Sequence, residues 1–148
     1  MHLLRLQFRL VLLAACAALA GCGGGSTMAP VRGVVTLDGE PVEGAAVMFS
    51  PRDGGRPAIG QTDERGEFRL QTVAPGDGAL LGEHAVTVTL QETLGITADP
   101  DGLSGEVAPG GIRTRWIVPE RYSNPKTSNL AATVERGMPP VSLELTTK

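Results

Sequence analysis

The side chains of this 148-residue chain that could act as nucleophiles, general bases or soft metal ligands are few. The sequence has two cysteines, Cys16 and Cys22, and two histidines, His2 and His84. Two cysteines cannot build a four-cysteine zinc site or a disulfide-rich scaffold. The chemistry to consider is therefore a reaction at a thiol or proton transfer at a histidine.

His84 lies on the apolar side of an alternating segment, which predicts a buried, structural histidine. A Ser-His-Asp triad would need it beside a carboxylate and Ser104, Ser123 or Ser128. None of these serines lies in a nucleophile-elbow motif. We therefore predict no catalytic residue, and a small envelope hydrolase is the less favoured alternative.

A cluster of side chains with oxygen atoms is a candidate calcium site. Asp99, Asp101 and Glu106 surround Gly102 in a stretch rich in turn residues. The spacing lacks the third Asp or Asn and the Glu position of an EF-hand loop. We interpret it as a solvated acidic turn and expect no metal and no cofactor, with calcium binding as an alternative.

Sugar-binding sites commonly use exposed aromatic side chains, and this chain has only three Phe, one Tyr and one Trp. Phe49 and Phe68 fall at core positions of predicted strands. Trp116 and Tyr122 flank Pro119, where they could pack the last connection against the domain. Packing is the favoured interpretation, and the two residues remain the candidates for a ligand platform.

Residues 1–21 have the three-part pattern of an export signal. Arg5 and Arg9 are the only charged residues, an uncharged apolar run spans 10–19, and small residues close the segment. The apolar run is about half of the roughly 20 residues that a membrane-spanning helix needs. The segment therefore predicts export and not a transmembrane helix.

The end of this segment, Leu19-Ala20-Gly21-Cys22, resembles the lipobox of bacterial lipoproteins. The resemblance implies a diacylglyceryl group on the Cys22 sulfur, cleavage between Gly21 and Cys22, and acylation of the new amino group by a fatty acid such as palmitate. Several acyl chains anchor a protein stably, at ~0.8 kcal/mol per buried methylene. Gly23, where Asp would favour inner-membrane retention, implies the outer membrane.

Residues 22–29 contain three successive glycines and a serine, and predict a flexible tether that spans ~16 Å on average. The chain has 13 Lys and Arg against 16 Asp and Glu, for a net charge of −3. This balance is not that of a nucleic-acid-binding protein. The lipid anchor is therefore the expected contact with the membrane, and envelope proteins or polysaccharide are the expected partners.

From residue 30 to residue 148 the sequence predicts a single all-β domain. The 20 Gly and 11 Pro argue against a helix bundle. Asp38-Gly39 and the 63–66 segment are typical of hairpin turns. Apolar and polar residues alternate in short runs, which predict an antiparallel seven-stranded β-sandwich with strands near 31–37, 45–49, 59–62, 67–71, 84–91, 130–135 and 141–146. The run from Ala45 to Phe49 is apolar throughout and predicts a strand buried on both faces.

The stretch 92–115 is rich in Gly, Pro, Asp and Thr and shows little alternation. It is long for a loop inside a compact domain. We expect a mobile loop, and the alternative is that it contains a strand that the pattern does not reveal.

Four segments in order resemble carboxypeptidase regulatory-like domains and the small bacterial lipoproteins that contain them. They are Val31–Ala45 (VRGVVTLDGEPVEGA), Thr62–Phe68 (TDERGEF), Gly82–Val88 (GEHAVTV) and Val118–Leu130 (VPERYSNPKTSNL). His84 stands where these domains often have Tyr. The resemblance implies a transthyretin-like or Ig-like sandwich with a non-catalytic structural or binding role. A surface module that binds carbohydrate or calcium through the 92–115 loop is the alternative.

Overall fold

The computed structural model describes residues 27–94 and 111–148, together with the backbone of two short strands at Ile96–Ala98 and Gly105–Val107. The described chain is all-β, with a single-turn 3₁₀ helix at Glu120–Ser123. In chain order the strands are β1 (Met28–Ala29), β2 (Arg32–Leu37), β3 (Glu40–Pro41), β4 (Ala46–Pro51), β5 (Ala58–Gln61), β6 (Glu67–Arg69), β7 (Ala79–Leu80), β8 (Gly82–Thr89), β9 (Gln91–Leu94), β10 (Ile96–Ala98), β11 (Gly105–Val107), β12 (Arg113–Trp116), β13 (Leu130–Val134) and β14 (Val141–Leu145).

One four-stranded sheet has the order β13-β8-β4-β5, with every neighbouring pair antiparallel. The second sheet has β2 at its centre, with β14 along one edge and both β3 and β6 along the other. The seven strands that alternation predicts correspond to β2, β4, β5, β6, β8, β13 and β14, so their positions are confirmed. The short strands β1 and β7 form a separate pair.

The pairing of β14 with β2 is parallel, so the expectation of purely antiparallel sheets is wrong at this edge. Parallel neighbours cannot be joined by a tight hairpin. The two strands come from opposite ends of the domain, and alternation within a strand carries no information about the direction of its partner. Antiparallel pairing holds for the other sheet contacts of the described residues.

Inward-facing side chains of both sheets belong to one hydrophobic cluster. Val35 of β2 and Leu145 of β14 come from one sheet, and Val47 and Val88 from the other, and each is at most 1% exposed. The rings of Phe49 on β4 and Phe68 on β6 lie with their centroids 6.3 Å apart. These contacts join the two sheets across a shared core, since inward faces need apolar neighbours to exclude water.

The turn between β2 and β3 is the two-residue hairpin that its sequence predicts. Asp38 and Gly39 have positive φ angles of 50° and 91°, and Leu37 pairs with Glu40 across the turn. Positive φ at both central residues is the requirement of a type I′ turn, which Asp-Gly satisfies at little cost. The Asp38 carboxylate also accepts a 2.7 Å hydrogen bond from the Thr147 hydroxyl, which ties the turn to the C-terminal residues.

Two expectations for individual segments need correction. The strand near 45–49 is not buried on both faces, because Ala46 and Met48 are exposed while Val47 and Phe49 are buried. The predicted tether 22–29 also extends too far toward the C-terminus, into residues that belong to the folded domain. Ala29 is 1% exposed and lies in β1, so the fold begins at least two residues before residue 30.

Within 92–115, where we expect a mobile loop, most of the described residues form strands, so the loop expectation is wrong for these segments. β9 pairs with β12, and β10 pairs with β11, both antiparallel. Arg115 and Glu92 face each other across the first pair with an ion-pair distance of 2.5 Å. The alternative of strands hidden from the pattern is confirmed for these segments.

Among residues 27–94 and 111–148 there is no helix with the length and apolar character needed to cross a membrane.

Candidate functional site

Several residues with predicted roles lie outside the part of the chain that the structure describes. These are the signal segment with Gly21 and Cys22, the acidic turn with Asp99 and Asp101, and Ser104. Glu106 lies in β11, for which only the backbone is described. Within the described residues, no three His, Cys, Asp or Glu side chains come together in a way that could hold a metal ion.

His84, on β8, is 1% exposed, as its place on the apolar face predicts. Its Nε2 lies 2.8 Å from the Leu80 carbonyl oxygen. A carbonyl can only accept, so Nε2 donates and therefore carries a proton. Nδ1 is buried without a hydrogen-bond partner, and the ring packs against Phe49 with centroids 5.9 Å apart. His84 thus links β8 to β7 and fills part of the core.

The serines that a catalytic triad would need bond elsewhere. The Ser128 hydroxyl donates to the Val86 carbonyl oxygen at 2.7 Å, and the Ser123 hydroxyl donates to the Glu120 carbonyl oxygen at 2.7 Å. The Ser123 hydrogen bond lies within the 3₁₀ helix, and the Ser128 hydrogen bond joins the segment before β13 to β8. Of the described residues, only Leu80 shares a side-chain hydrogen bond with His84, so these residues provide no triad.

Tyr122 is 7% exposed and holds the 3₁₀ helix against the end of β14. Its hydroxyl accepts a 3.0 Å hydrogen bond from the Thr146 backbone N–H and a 3.2 Å hydrogen bond from the Arg121 guanidinium. The same guanidinium lies 4.7 Å from the ring centroid, within the range of a cation–π contact. A ring buried in this way is not an open platform for a sugar.

Trp116 is half-buried at the end of β12, opposite Gln91 of β9. The backbone N–H of the next residue, Ile117, donates to the Leu90 carbonyl oxygen at 3.0 Å, which fixes this strand end beside β8. The ring contacts of the described residues include none between Trp116 and Tyr122. The two predicted candidates therefore do not form a shared aromatic surface.

A concave site lined by charged residues lies elsewhere among the described residues, over the β2–β6 pair. A groove of about 680 Å³ opens there, against about 390 Å³ for the shallow pocket beside His84. This volume lies in the range of small-molecule sites. The residues that line the groove come from β2, β5, β6, the turn before β6 and the segment before β14: Arg32, Gly33, Val34, Gln61, Asp63, Arg65, Glu67, Phe68, Arg69 and Pro140. We call this site the arginine groove.

The register of β2 and β6 places Arg32 directly opposite Arg69. Both residues are exposed, and neither side chain has a hydrogen bond or ion pair with another described residue. Facing residues in an antiparallel pair have Cβ atoms about 4.5–5.5 Å apart, and like charges in such a pair are destabilising. The fold thus places two unneutralised positive charges side by side.

The two carboxylates of the groove are already engaged. One Asp63 oxygen, Oδ1, accepts hydrogen bonds from the backbone N–H groups of Arg65 and Glu67, both at 2.9 Å, and so shapes the turn before β6. Glu67 lies 3.4 Å from the Arg65 guanidinium. These acids therefore serve the turn and the third arginine, and do not pair with Arg32 or Arg69.

Gly33 lets β6 approach β2 closely beneath the groove. A Cβ atom at this position would lie 2.7 Å from the Phe68 ring and would collide with the Val141 carbonyl oxygen. Only a residue without a side chain fits such a position. The glycine therefore supports the β6–β2–β14 pairing that brings Arg69 opposite Arg32.

Sequence reasoning missed the arginine groove. Alternation correctly places Arg32 and Arg69 on the solvent side of their strands, but exposed arginines are common and carry no signal by themselves. Their pairing depends on the register between strands that are distant in the sequence. A register follows from the folded sheet and not from either strand alone.

Comparison with known proteins identifies no relative: no protein-family model, no curated protein and no solved structure matches the chain.

Proposed function

We propose that this protein is a lipid-anchored lipoprotein of the bacterial cell envelope, whose domain is a non-catalytic binding module. We also propose that the two sheets form a transthyretin-like or Ig-like sandwich of seven principal strands, as in carboxypeptidase regulatory-like domains. The shared core of the two sheets and the positions of the seven predicted strands support this assignment.

The observation that carries the binding role is the arginine groove. Two cations face each other there without a carboxylate partner among the described residues, at a cost in stability that packing does not require. His84, by contrast, is sealed in the core and bonded to a backbone carbonyl. The groove is therefore a place to hold a ligand, and the histidine is a poor candidate for a general base.

The anchor rests on Leu19-Ala20-Gly21-Cys22 after a basic start and an apolar run. Thioether attachment of a diacylglyceryl group to Cys22, followed by N-acylation with a fatty acid such as palmitate, would hold the protein in a membrane. An acidic chain with a net charge of −3 gains no general attraction to anionic lipid headgroups, so a covalent anchor is needed. The outer membrane is the favoured location.

The anchor is tested by exchanging one cysteine at a time in the full chain. We expect Cys22→Ala to lose the incorporation of labelled palmitate and to keep an uncut signal. Cys16→Ala is the matched control, because it removes a thiol from inside the predicted signal. Palmitate labelling and signal cleavage that persist in Cys22→Ala would refute the proposed anchor.

A further inference from the structure

We infer that the arginine groove binds a small organic oxyanion, a carboxylate or phosphate group attached to a body of roughly sugar size. The inference rests on the proposed binding role and specifies its ligand. Arg32 and Arg69 would hold the charged group, and the remaining lining residues would contact the body.

The arrangement of the two arginines indicates that the ligand is negatively charged. Arg32 and Arg69 are direct cross-strand neighbours on the outer face of the β2–β6 pair. Guanidinium groups offer planar pairs of N–H donors that match the oxygens of carboxylate and phosphate. An oxyanion between them would satisfy both guanidinium groups and remove their mutual repulsion.

The surroundings of the pair leave the positive charge available. Asp63 directs Oδ1 to two backbone N–H groups, and Glu67 lies within ion-pair distance of Arg65. The groove therefore has three arginines against two engaged carboxylates, in a chain whose net charge is −3. A local excess of positive charge on an acidic protein favours an anion at this place over the rest of the surface.

The size and lining of the groove indicate a ligand larger than an inorganic ion. Its volume is about 680 Å³. Half-buried Val34 and exposed Pro140 give it apolar surface, and Gln61 gives it an uncharged polar group. Such a mixture of a few oriented polar groups and apolar lining is typical of sites for organic ligands.

The test uses three probes that share a hexose body and differ in the head group: glucose, glucuronate and glucose 6-phosphate. Each is titrated into the full chain in detergent at constant ionic strength, and binding is followed by calorimetry and by the backbone amide signals of β2 and β6. We expect glucuronate or glucose 6-phosphate to bind at least tenfold more tightly than glucose, with amide shifts centred on Arg32, Gly33 and Arg69. The stronger of the two acids identifies the carboxylate or the phosphate as the preferred group.

Variants separate the site from general charge effects. Arg32→Gln with Arg69→Gln should abolish the preference for the acidic probes. Arg56→Gln is the matched control, because Arg56 is exposed on a loop outside the groove, and it should leave the preference unchanged. Equal binding of all three probes, or a preference that survives in the double variant, would overturn the inference.

The proposed anchor is measured separately, by palmitate labelling. A negative result in the binding experiment would therefore leave the proposed anchor intact.

Discussion

At the scale of single residues, the polar side chains within the core form hydrogen bonds with backbone groups. His84 donates to the Leu80 carbonyl, Ser128 donates to the Val86 carbonyl, and Tyr122 receives the Thr146 N–H. A buried backbone group without a partner costs free energy, so each of these side chains offsets such a cost. The alternating pattern predicts the burial of His84, and for Tyr122 packing is only the favoured interpretation of a residue near Pro119. The identity of their partners depends on the folded chain.

Tyr122 gives a prediction that can be read directly, because it is the only tyrosine in the chain. Burial alone acts to raise the pKa of its phenol, but hydrogen bonds with Thr146 and Arg121 and the Arg121 charge lower it by more, so the net pKa lies below 10.0. We expect the absorbance change of phenol ionisation in the folded protein to have a midpoint below that of the unfolded chain. The shift adds stability only as the pH rises toward and above 10, and nothing at pH 7.

Arg121→Gln is the matched variant for this titration. It removes the guanidinium that donates to the Tyr122 hydroxyl and lies over its ring, and it should move the phenol midpoint upward. Removing the hydroxyl itself, in Tyr122→Phe, should lower the free energy of unfolding by about 0.5–1.5 kcal/mol, because the Thr146 N–H loses its partner. A midpoint at or above that of the unfolded chain would contradict the described arrangement.

At the scale of elements, alternation locates the strands that have one face on the core, and it fails where burial does not alternate. All four residues of β9 are exposed, so this strand leaves no apolar period in the sequence. The 45–49 run has the opposite problem, because apolar Ala46 and Met48 occupy solvent-facing positions. The parallel β2–β14 contact and the Arg32–Arg69 pairing are also beyond the pattern, since both depend on contacts between distant strands.

The turn at residues 72–78 gives a prediction on acid stability. The backbone N–H groups of Thr72, Ala74 and Val73 donate to the Asp77 carboxylate at 2.7–2.8 Å. The hydrogen bond from Thr72 is the largest cause that lowers the pKa of Asp77 below its ordinary value of 3.8. A lowered folded-state pKa stabilises the fold above the unfolded-state pKa and loses this effect as the pH falls through the folded-state value.

We therefore expect Asp77→Asn to lower the melting temperature at pH 7 and to narrow its difference from the parent protein below pH 4. Asp53→Asn is the control, because Asp53 is exposed on a loop. Thermal unfolding followed by circular dichroism from pH 2 to pH 8 measures both. A melting-temperature difference for Asp77→Asn that stays constant down to pH 2 would show that the carboxylate charge does not stabilise this turn.

At the scale of the whole molecule, the binding role proposed for the arginine groove implies a cost in stability to the free protein. The domain holds its two sheets together through one apolar core. The described residues include exposed ion pairs at Arg52–Glu83, Arg65–Glu67 and Arg115–Glu92. Against this background, the Arg32–Arg69 pair is a local repulsion that folding has to overcome. Sites that bind ligands commonly retain such unfavourable arrangements, and substitution there stabilises the free protein.

A double-mutant cycle tests this exchange in the absence of any ligand. Arg32→Gln and Arg69→Gln should each raise the free energy of unfolding by about 0.2–1 kcal/mol, because each removes the repulsion between facing cations. The double variant should gain less than the sum of the two, since the repulsion can be removed only once. Arg65→Gln, which breaks an ion pair, should instead be neutral or slightly destabilising. Denaturant unfolding at low and high NaCl measures the cycle, and the gain should shrink as salt screens the charges. Additive effects, or destabilisation by either single substitution, would mean that the pair imposes no strain that a bound anion could relieve.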